Sequence, residues 1–499
     1  MKTYLMQRRT FLGGLALTGL AGPWLQAWSA DTMTASSTPL GLPLLAPELL
    51  PTGSSLREIP KLANTSSVPG YFEATLTAAP VSVPFVPGKT ATEFWAYNGG
   101  LPGPLIELFE GDKVAITFVN NLTQPSTIHW HGLPVPSDQD GNPHDPVPPG
   151  GRRTYSFNLP EGSAGTYWYH PHPHQNTAEQ AFRGLAGPLL IRSRHDPLAH
   201  LPERLLVVSD LKLDSYATIA PNEANDWMNG REGQFALVNA QHQPVLPFAA
   251  GGRERWRVVN ACSARYLQLA LPGSTLTLVG TDGGLLEKPQ SGLTEYLLAP
   301  AQRIELIIDA GSRRDRVELN ANVYARGKMG KVAPDHIMPL LTVDFTTVTA
   351  TGQAALPLKL GSVPDLGAAT ASKQVVFSEK MSMANGRHSV QFLVNDQEYD
   401  MQRIDLVSRI NEVELWEIVN HSDMDHPFHL HGNQFQVVER EFDGVVTPVS
   451  FRAWQDTVNL RSSEIVRIKT LQRLPGLRMF HCHILEHEEM GMMGQLNVV

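Results

Sequence analysis

Cysteine is scarce in this chain, with only Cys262 and Cys482 among 499 residues. If Cys482 is a metal thiolate, no disulfide can form within the chain. A zinc site normally takes four firm nitrogen or sulfur ligands, commonly from cysteines at C-x-x-C spacing, and the sequence contains no such pair. Cys262 ends a strand-like run, where a small buried side chain is the expected role. Disulfide scaffolds and cysteine-based zinc sites are therefore disfavoured.

Positive charge is scarce as well. The chain has 40 lysines and arginines against 49 acidic residues, a formal net charge of -9. That balance leaves no basic stripe for nucleic acid or for an anionic membrane surface. We expect no nucleic-acid partner, and we expect a monomer. Hydrophobic residues make up 42% of the chain, which is enough for a sizeable core.

Long hydrophobic runs are lacking too. The apolar run Phe11 to Gly22 is too short to span a membrane, and it follows Arg8 and Arg9. A basic start before a short apolar run is typical of a signal peptide, and the paired arginines resemble a twin-arginine export signal. We expect residues 1–30 to be read by the twin-arginine export machinery and the protein to be periplasmic or secreted. An uncleaved anchor is the alternative.

Long amphipathic helical patterns are also missing, and short alternating runs between Gly, Pro and Asn turns predict strands throughout. Three of these runs resemble one another and close on Val-Asn, at Asn120, Asn260 and Asn420. Successive asparagines are 140 and 160 residues apart. This spacing and the chain length both predict three β domains.

We place the three domains at residues 67–195, 200–345 and 373–499. Residues 31–66 are rich in Pro, Ser, Thr and Leu without a regular pattern, which predicts a linker and an arm on the surface. The Ala, Thr, Gly and Pro-rich segment 346–372 is expected to link the second and third domains.

The run His481-Cys482-His483 carries the strongest chemical signal. On an extended strand neighbouring side chains point to opposite faces, so Cys482 faces one way and both histidines the other. One strand can therefore serve two metal sites. A thiolate, two imidazoles and a distant thioether form a blue-copper centre, and Cys482, His487 and Met492 could supply all but one imidazole.

Histidine is abundant, with 18 in the chain. Ten of them lie in four clusters: His129 and His131; His170 and His172; His426, His429 and His431; His481, His483 and His487. These clusters occur in the first and third predicted domains, whereas the middle domain has the isolated His242 and His336. A site built from both ends must lie between domains one and three. We expect the middle domain to be a spacer and a substrate wall.

The motifs H-W-H-G, H-P-H, H-P-F-H-L-H-G and H-C-H-x3-H-x4-M, in this order, resemble those of the multicopper oxidases over nearly the whole mature chain. The resemblance implies an all-β fold of three cupredoxin-like Greek-key β-barrel domains with four coppers. It implies a type 1 copper on His426, Cys482 and His487, with Met492 as the axial ligand. It implies a type 2 copper on His129 and His429, and two type 3 coppers, on His131, His170 and His483 and on His172, His431 and His481.

The chemistry implied by this resemblance is one-electron oxidation of four substrate molecules at the type 1 copper, transfer through Cys482, and reduction of O2 to two waters. Asp140, eleven residues after His129, and Glu488, next to His487, match the acids that relay protons in the family. A solvent-exposed loop carboxylate is the alternative for each. His174 has no counterpart in the motif and is expected to be exposed or to lie beside the ligands.

The reducing substrate is less clearly marked. A laccase-like oxidase of phenols and aromatic amines competes with a periplasmic cuprous oxidase. Met424, Met381 and Met383 could gather Cu(I), but no dense methionine-rich insert precedes the third domain. We favour laccase-like activity and expect His426 and His487 to lie nearest the solvent. A non-enzymatic scaffold on the same frame is disfavoured, because every ligand position is filled.

Overall fold

The computed structural model describes residues 43–349, 355–384 and 387–499. The predicted signal peptide at 1–30 and the start of the predicted arm lie outside the described residues. The described ranges contain 31 strands in six sheets, and three α-helices of five or six residues. The all-β prediction is confirmed. None of the described helices is long and apolar enough to cross a bilayer.

The first third of the fold is a pair of four-stranded sheets around one apolar core that includes Trp130 and Tyr155. Its elements are β1 (Tyr71–Val83), β2 (Thr92–Tyr97), β3 (Ile106–Phe109), β4 (Lys113–Asn120), β5 (His129–His131), β6 (Arg152–Asn158), β7 (Gly165–His170), α1 (Thr177–Phe182) and β8 (Gly187–Arg192). The strand orders are β2-β1-β4-β6 and β3-β8-β7-β5. Strand β5, which carries two candidate ligands, is buried along its whole length.

The middle third is a seven-stranded and a five-stranded sheet around a core that includes Trp256 and Phe248. Its elements are β9 (Glu203–Leu211), α2 (Ala224–Asn229), β10 (Phe235–Val238), β11 (Gln241–His242), β12 (Val245–Ala250), β13 (Arg253–Asn260), β14 (Leu267–Ala270), β15 (Leu276–Thr281), β16 (Gly284–Leu293), β17 (Tyr296–Leu298), β18 (Arg303–Asp309), β19 (Arg316–Asn322) and β20 (Met338–Thr349). The strand orders are β11-β10-β9-β13-β18-β15-β16 and β12-β20-β19-β14-β17.

The last third is a six-stranded and a five-stranded sheet, and its core includes Cys482 and Met492. Its elements are β21 (Ala371–Ala384), β22 (Arg387–Val394), β23 (Leu406–Ser408), β24 (Val413–Asn420), β25 (His426–Leu430), β26 (Phe435–Phe442), β27 (Val445–Pro448), β28 (Thr457–Leu460), β29 (Ile465–Leu471), β30 (Gly476–Cys482), α3 (Leu485–Glu489) and β31 (Met493–Val498). The strand orders are β22-β21-β24-β29-β26-β27 and β23-β31-β30-β25-β28.

The three runs that close on Val-Asn occupy equivalent places. Strands β4, β13 and β24 each pair parallel to one neighbour and antiparallel to the other. Each terminal asparagine is buried and accepts a backbone N–H two residues later. Asn420 also donates to the carbonyls of Met424 and Leu460, which fixes the loop leading to His426. The repeated asparagine therefore orders the turn that follows each strand.

The described part of the arm lies across the first and middle thirds. Leu45 and Leu50 are buried in a small core that both thirds share. Strands β20 and β21 extend into the predicted linker 346–372 from both ends, since β20 runs to Thr349 and β21 begins at Ala371. The limits of the three domains and of the linkers stay predictions.

Candidate metal centres

Strand pairing brings the histidine motifs together in space. Strands β5 and β7 are antiparallel with His129 opposite His170. Strands β25 and β30 are antiparallel with His429 opposite His481. Phe428 faces Cys482 in the same ladder, one residue along. Because side chains alternate along a strand, β30 sends Cys482 to one side and His481 to the other, as the sequence predicts.

Eight imidazoles converge between the first and last thirds: His129, His131, His170, His172, His429, His431, His481 and His483. All eight are at most 1% exposed. Their ring nitrogens approach within the reach of shared metal ions, and three groups of these histidines have ligand atoms within 4.8 Å of one another. No protein hydrogen bond within the described chain takes up either ring nitrogen of His483.

Individual distances define the subsites. His481 Nε2 lies 3.0 Å from His431 Nε2 and 3.2 Å from His172 Nε2. His129 Nε2 lies 3.4 Å from His429 Nε2. The first two contacts join residues that the family resemblance assigns to one type 3 copper, and the third joins the two residues that it assigns to the type 2 copper. Ligand atoms of His129 also lie within 4.8 Å of those of His131 and His170, so the ligand sets stay a prediction.

The residues that the resemblance assigns to the other type 3 copper, His131, His170 and His483, have one direct contact between ring nitrogens. His131 Nδ1 lies 3.4 Å from His170 Nε2. The ring of His483 lies 5.0 and 5.4 Å from the rings of these two residues, measured between centroids.

Backbone carbonyls hold the Nδ1 atom of four of the eight rings, those of His129, His170, His429 and His481. The Nδ1 atom of His129 lies 3.0 Å from the carbonyl of Asp140, and that of His481 lies 3.0 Å from the carbonyl of Cys482. A ring that donates from Nδ1 presents Nε2 as its lone pair. His131 is reversed, because its Nε2 lies 3.0 Å from Asp456 Oδ1 and its Nδ1 faces His170.

Burial keeps these imidazoles neutral. It lowers the pKa of His481 to about 3, and lowers the pKa of His131, His172 and His431 well below the usual value, with neighbouring histidines adding to the effect. Protonated imidazoles at these separations would repel one another. The cluster thus offers neutral nitrogen donors that face inward, which is the donor chemistry a trinuclear copper site requires.

A second group of ligands lies in the core of the last third. His426 Nδ1 lies 3.3 Å from Cys482 Sγ and 3.3 Å from His487 Nδ1, and the sulfur lies 4.0 Å from His487 Nδ1. Met492 is fully buried in the same apolar cluster. Burial raises the pKa of the Cys482 thiol, so the thiolate is stable here only beside a cation that replaces its proton.

The outer edges of these two imidazoles are covered. His426 Nε2 donates to Ser422 Oγ at 2.8 Å, and His487 Nε2 donates to the carbonyl of Met228 in α2 at 3.2 Å. The ring of Phe392 stacks on His487 with centroids 3.9 Å apart. Both imidazoles have 0% exposure, so neither is open to solvent, and the expectation that they lie nearest to it stays a prediction. Ser422 and Phe392 belong to the last third and Met228 to the middle third, so both thirds cover these two imidazoles.

The two predicted acids are buried beside the eight-histidine cluster. Asp140 Oδ1 lies 3.2 Å from His129 Nδ1, and its Oδ2 lies 3.3 Å from His431 Nδ1. Glu488 Oε2 lies 3.2 Å from His481 Nδ1. Burial raises the pKa of Glu488 well above its usual value, because a buried carboxylate loses its hydration. The alternative of an exposed loop carboxylate is excluded for both, and their role in proton transfer stays a prediction.

Other candidates fall outside the ligand sets. His174 is half-buried and lies edge-on to Tyr399. Cys262 is buried in the middle core, as expected for a structural cysteine. Met424 is fully buried, and its sulfur accepts a hydrogen bond from Arg326 at 3.1 Å. It therefore cannot gather Cu(I) from solvent without a rearrangement.

Among the residues that touch the ligands, Asp456, Ser422 and Met228 were missed by sequence reasoning. Asp456 precedes β28, which pairs with β25, and this pairing cannot be read from the chain. Met228 acts through its carbonyl, which carries no side-chain signal. Ser422 lies four residues before His426, so a search for polar side chains close to the ligands could have found it.

Comparison with known proteins gives consistent matches along the chain. Models of the family described as multicopper oxidase match residues 82–196, 200–333 and 372–499. The multicopper oxidase of Staphylococcus aureus is 33% identical over 86% of this chain and 89% of its own length. The laccase of Bacillus subtilis is 26% identical, over 82% of this chain and 90% of its own.

Among solved structures, the multicopper oxidase from Campylobacter jejuni, described as a metallo-oxidase, superposes with a TM-score of 0.87. It is 43% identical to this chain, and the match covers 92% of this chain and 98% of that one.

Proposed function

The chain belongs to the multicopper oxidase family, and we propose that it oxidises a small soft metal ion, Cu(I), in preference to bulky phenols. Family membership makes it an oxidoreductase of cupredoxin-like domains that uses O2 and four coppers, and the histidine clusters fit those copper sites. Bound copper supplies the redox chemistry, in which four electrons from the reductant and four protons convert O2 to two waters.

The ligand assignment that we propose is the one implied by the family motifs. The type 1 ligands are His426, Cys482, His487 and the axial Met492. The type 2 ligands are His129 and His429, and the type 3 ligands are His131, His170 and His483 on one ion and His172, His431 and His481 on the other. Ligand atoms within 4.8 Å of one another support two of these sets, His172, His431 and His481, and His426, Cys482 and His487. The other two sets are proposed from the motifs.

The chain itself connects the two centres. Cys482 belongs to the type 1 group, while its neighbours His481 and His483 belong to the histidine cluster. Three consecutive residues therefore provide a covalent route for electrons. Proton delivery is proposed for Asp140 and Glu488. Both carboxyls lie beside cluster imidazoles, and burial raises the pKa of Glu488.

The observation that carries the substrate proposal is the cover over His487. The imidazole is fully buried and its Nε2 is already hydrogen-bonded to the Met228 carbonyl, so a phenol cannot bond to it directly. The side chains of Met228 and Met329 are half-buried, and Met329 packs against the core that holds Cys482 and Met492. The side chain of Asn229 fixes the backbone of Met329. Its Oδ1 accepts the Met329 N–H, and its Nδ2 donates to the Met329 carbonyl. Thioethers suit Cu(I), which is small enough to approach there.

A cavity near this cover supports aromatic compounds as the second candidate class of substrate. It has a volume of about 320 Å³ and is lined by Tyr266, Tyr324, Asn229 and Arg326, among others. The two tyrosine rings stack with centroids 5.5 Å apart. Because Asn229 also fixes Met329, the cavity shares a wall with the cover over His487. A single-ring phenol could enter such a space, as the relationship to a laccase supports.

O2 uptake by copper-loaded enzyme tests which of the two substrates, Cu(I) or a phenol, the enzyme prefers. We expect turnover of Cu(I), supplied as its acetonitrile complex, and weak turnover of 2,6-dimethoxyphenol unless excess Cu(II) is added. Met329→Leu should raise the KM for Cu(I) and leave phenol oxidation unchanged. Met401→Leu, at a half-buried methionine whose carbonyl bonds His144, is the matched control. Equal turnover of phenol without added copper would favour the laccase-like activity instead.

Export is proposed from the sequence. Arg8 and Arg9 precede a short apolar run, so we propose delivery by the twin-arginine machinery to the periplasm or the exterior, as a monomer. Arg8→Lys/Arg9→Lys should retain the protein in the cytoplasm, and cell fractionation measures this. Normal export of the double variant would contradict the proposed route.

A further inference from the structure

Two buried aspartates each serve a stacked pair of imidazoles, with one ring of each pair from the first third and one from the last. His131 and His429 stack with centroids 3.8 Å apart, and Asp456 touches both, through Oδ1 on His131 and its carbonyl on His429. His129 and His431 stack with centroids 3.7 Å apart. Asp140 lies against this second pair.

Asp456 is fixed by an arginine of the middle third. Arg303 donates from Nη1 to Oδ1 at 2.7 Å and from Nη2 to Oδ2 at 2.6 Å. Its other N–H groups donate to the carbonyls of Thr166, Ala301 and Asp282. All five donors are used, and the guanidinium thereby touches all three thirds of the fold. A forked pair of this kind fixes both position and orientation.

Asp282 completes the arrangement. Its Oδ1 accepts the backbone N–H of Arg303 at 2.7 Å, and its Oδ2 accepts those of Asp456 and Thr457 at 3.2 and 3.3 Å. The glycine of the H-W-H-G motif makes room for the pair. A Cβ on Gly132 would lie 2.3 Å from Asp456 Oδ2 and 2.6 Å from Arg303 Nη2. This close approach requires a glycine.

Asp140 is bound more loosely. Its nearest arginine nitrogen, Arg478 Nη1, is 3.8 Å away, and neither carboxylate oxygen has a hydrogen bond in the described chain. Asp140 is therefore held by fewer hydrogen bonds than Asp456, which has both oxygens engaged by Arg303. The two acids therefore suit different tasks.

Given the ligand assignment proposed above, we propose that Asp456, fixed by Arg303 and Asp282 of the middle third, is a positioning residue for the type 2 and type 3 ligands. It engages His131 Nε2 and so turns Nδ1 toward the metal, while its carbonyl turns His429 Nε2 inward. The middle third is then more than the predicted spacer, since it sets the geometry of a cluster to which it contributes no histidine.

Arg303→Met tests this inference, with copper counted per site. We expect full blue absorption from the type 1 copper, and about 10- to 100-fold weaker retention of the cluster coppers during dialysis against a chelator, the usual effect of losing a partner of a metal ligand. The type 2 electron paramagnetic resonance signal should shift or disappear. Arg303→Lys keeps the positive charge but cannot donate to both Asp456 oxygens in the same planar geometry. It should therefore retain the cluster coppers better than Arg303→Met and less well than the wild type.

Arg255→Met is the matched control, since Arg255 is equally buried in the middle third and pairs with Glu305 and Asp196. It should lower stability while leaving the type 2 signal unchanged. If Arg303→Met does not fold, Asp282→Asn and Arg303→Met/Asp456→Asn, which removes both charges, take its place. An unchanged type 2 signal in the folded variants would overturn the inference. A wild-type enzyme without a type 2 signal would instead overturn the ligand assignment.

Discussion

Ser422→Ala removes a hydrogen bond that holds His426, one of the proposed type 1 ligands. In the wild type, His426 Nε2 donates to Ser422 Oγ at 2.8 Å, and both residues are buried. The same hydroxyl can donate to the carbonyl of Met424 at 2.9 Å. Alanine removes the acceptor and leaves the imidazole N–H without a partner, while the backbone and Cβ stay in place.

The direction of the expected change in the type 1 reduction potential follows from the higher charge of Cu(II) compared with Cu(I). A hydrogen bond from Nε2–H makes the ring a better donor at Nδ1, which favours Cu(II) over Cu(I). Its loss should raise the type 1 potential. If the bond contributes a typical net 0.5–1.5 kcal/mol to the oxidised state alone, the rise is about 20–65 mV for one electron. The unpartnered N–H should also lower the free energy of unfolding by about 1–3 kcal/mol.

The assay is a redox titration of the blue absorption under anaerobic conditions. Ser462→Ala is the matched control, because the Ser462 hydroxyl donates to the Ser422 carbonyl at 2.8 Å, next to the perturbed bond. It should leave the potential unchanged. A potential that stays constant or falls in Ser422→Ala would refute the reasoning.

Three further predictions concern the proposed ligands and acids. Cys482→Ser should abolish the blue absorption and turnover while circular dichroism stays native, and a variant that remains blue would contradict the type 1 assignment. Met492→Leu nearly conserves volume in a full core, so it should cost less than about 1.5 kcal/mol in denaturant unfolding. It should raise the potential, because a thioether donor to Cu(II) is lost; a lowered potential would exclude the axial role. Asp140→Asn and Glu488→Gln should each slow reoxidation by O2 more than anaerobic reduction, measured by stopped flow, and equal slowing would indicate a structural role.

The sequence alone determined the fold class, the family and the metal chemistry. Period-2 alternation marks strands because only the extended backbone turns neighbouring side chains to opposite faces. The same rule predicts the two-sided placement of His481 and Cys482 on β30, and it requires no knowledge of the partner strand. The Val-Asn repeat was readable for a similar reason, since Asn120 and Asn420 act on turns within their own loops.

Tertiary structure alone decided what surrounds those ligands. Met228 covers His487 with a backbone carbonyl from 259 residues away in the chain, and Arg303 fixes Asp456 across 153 residues. Neither contact has a local pattern, because each depends on how separate sheets pack. The ligands recur at fixed spacings since a metal ion demands a particular set of donors, whereas solvent access and ring orientation depend on whichever distant segments fill the space around them.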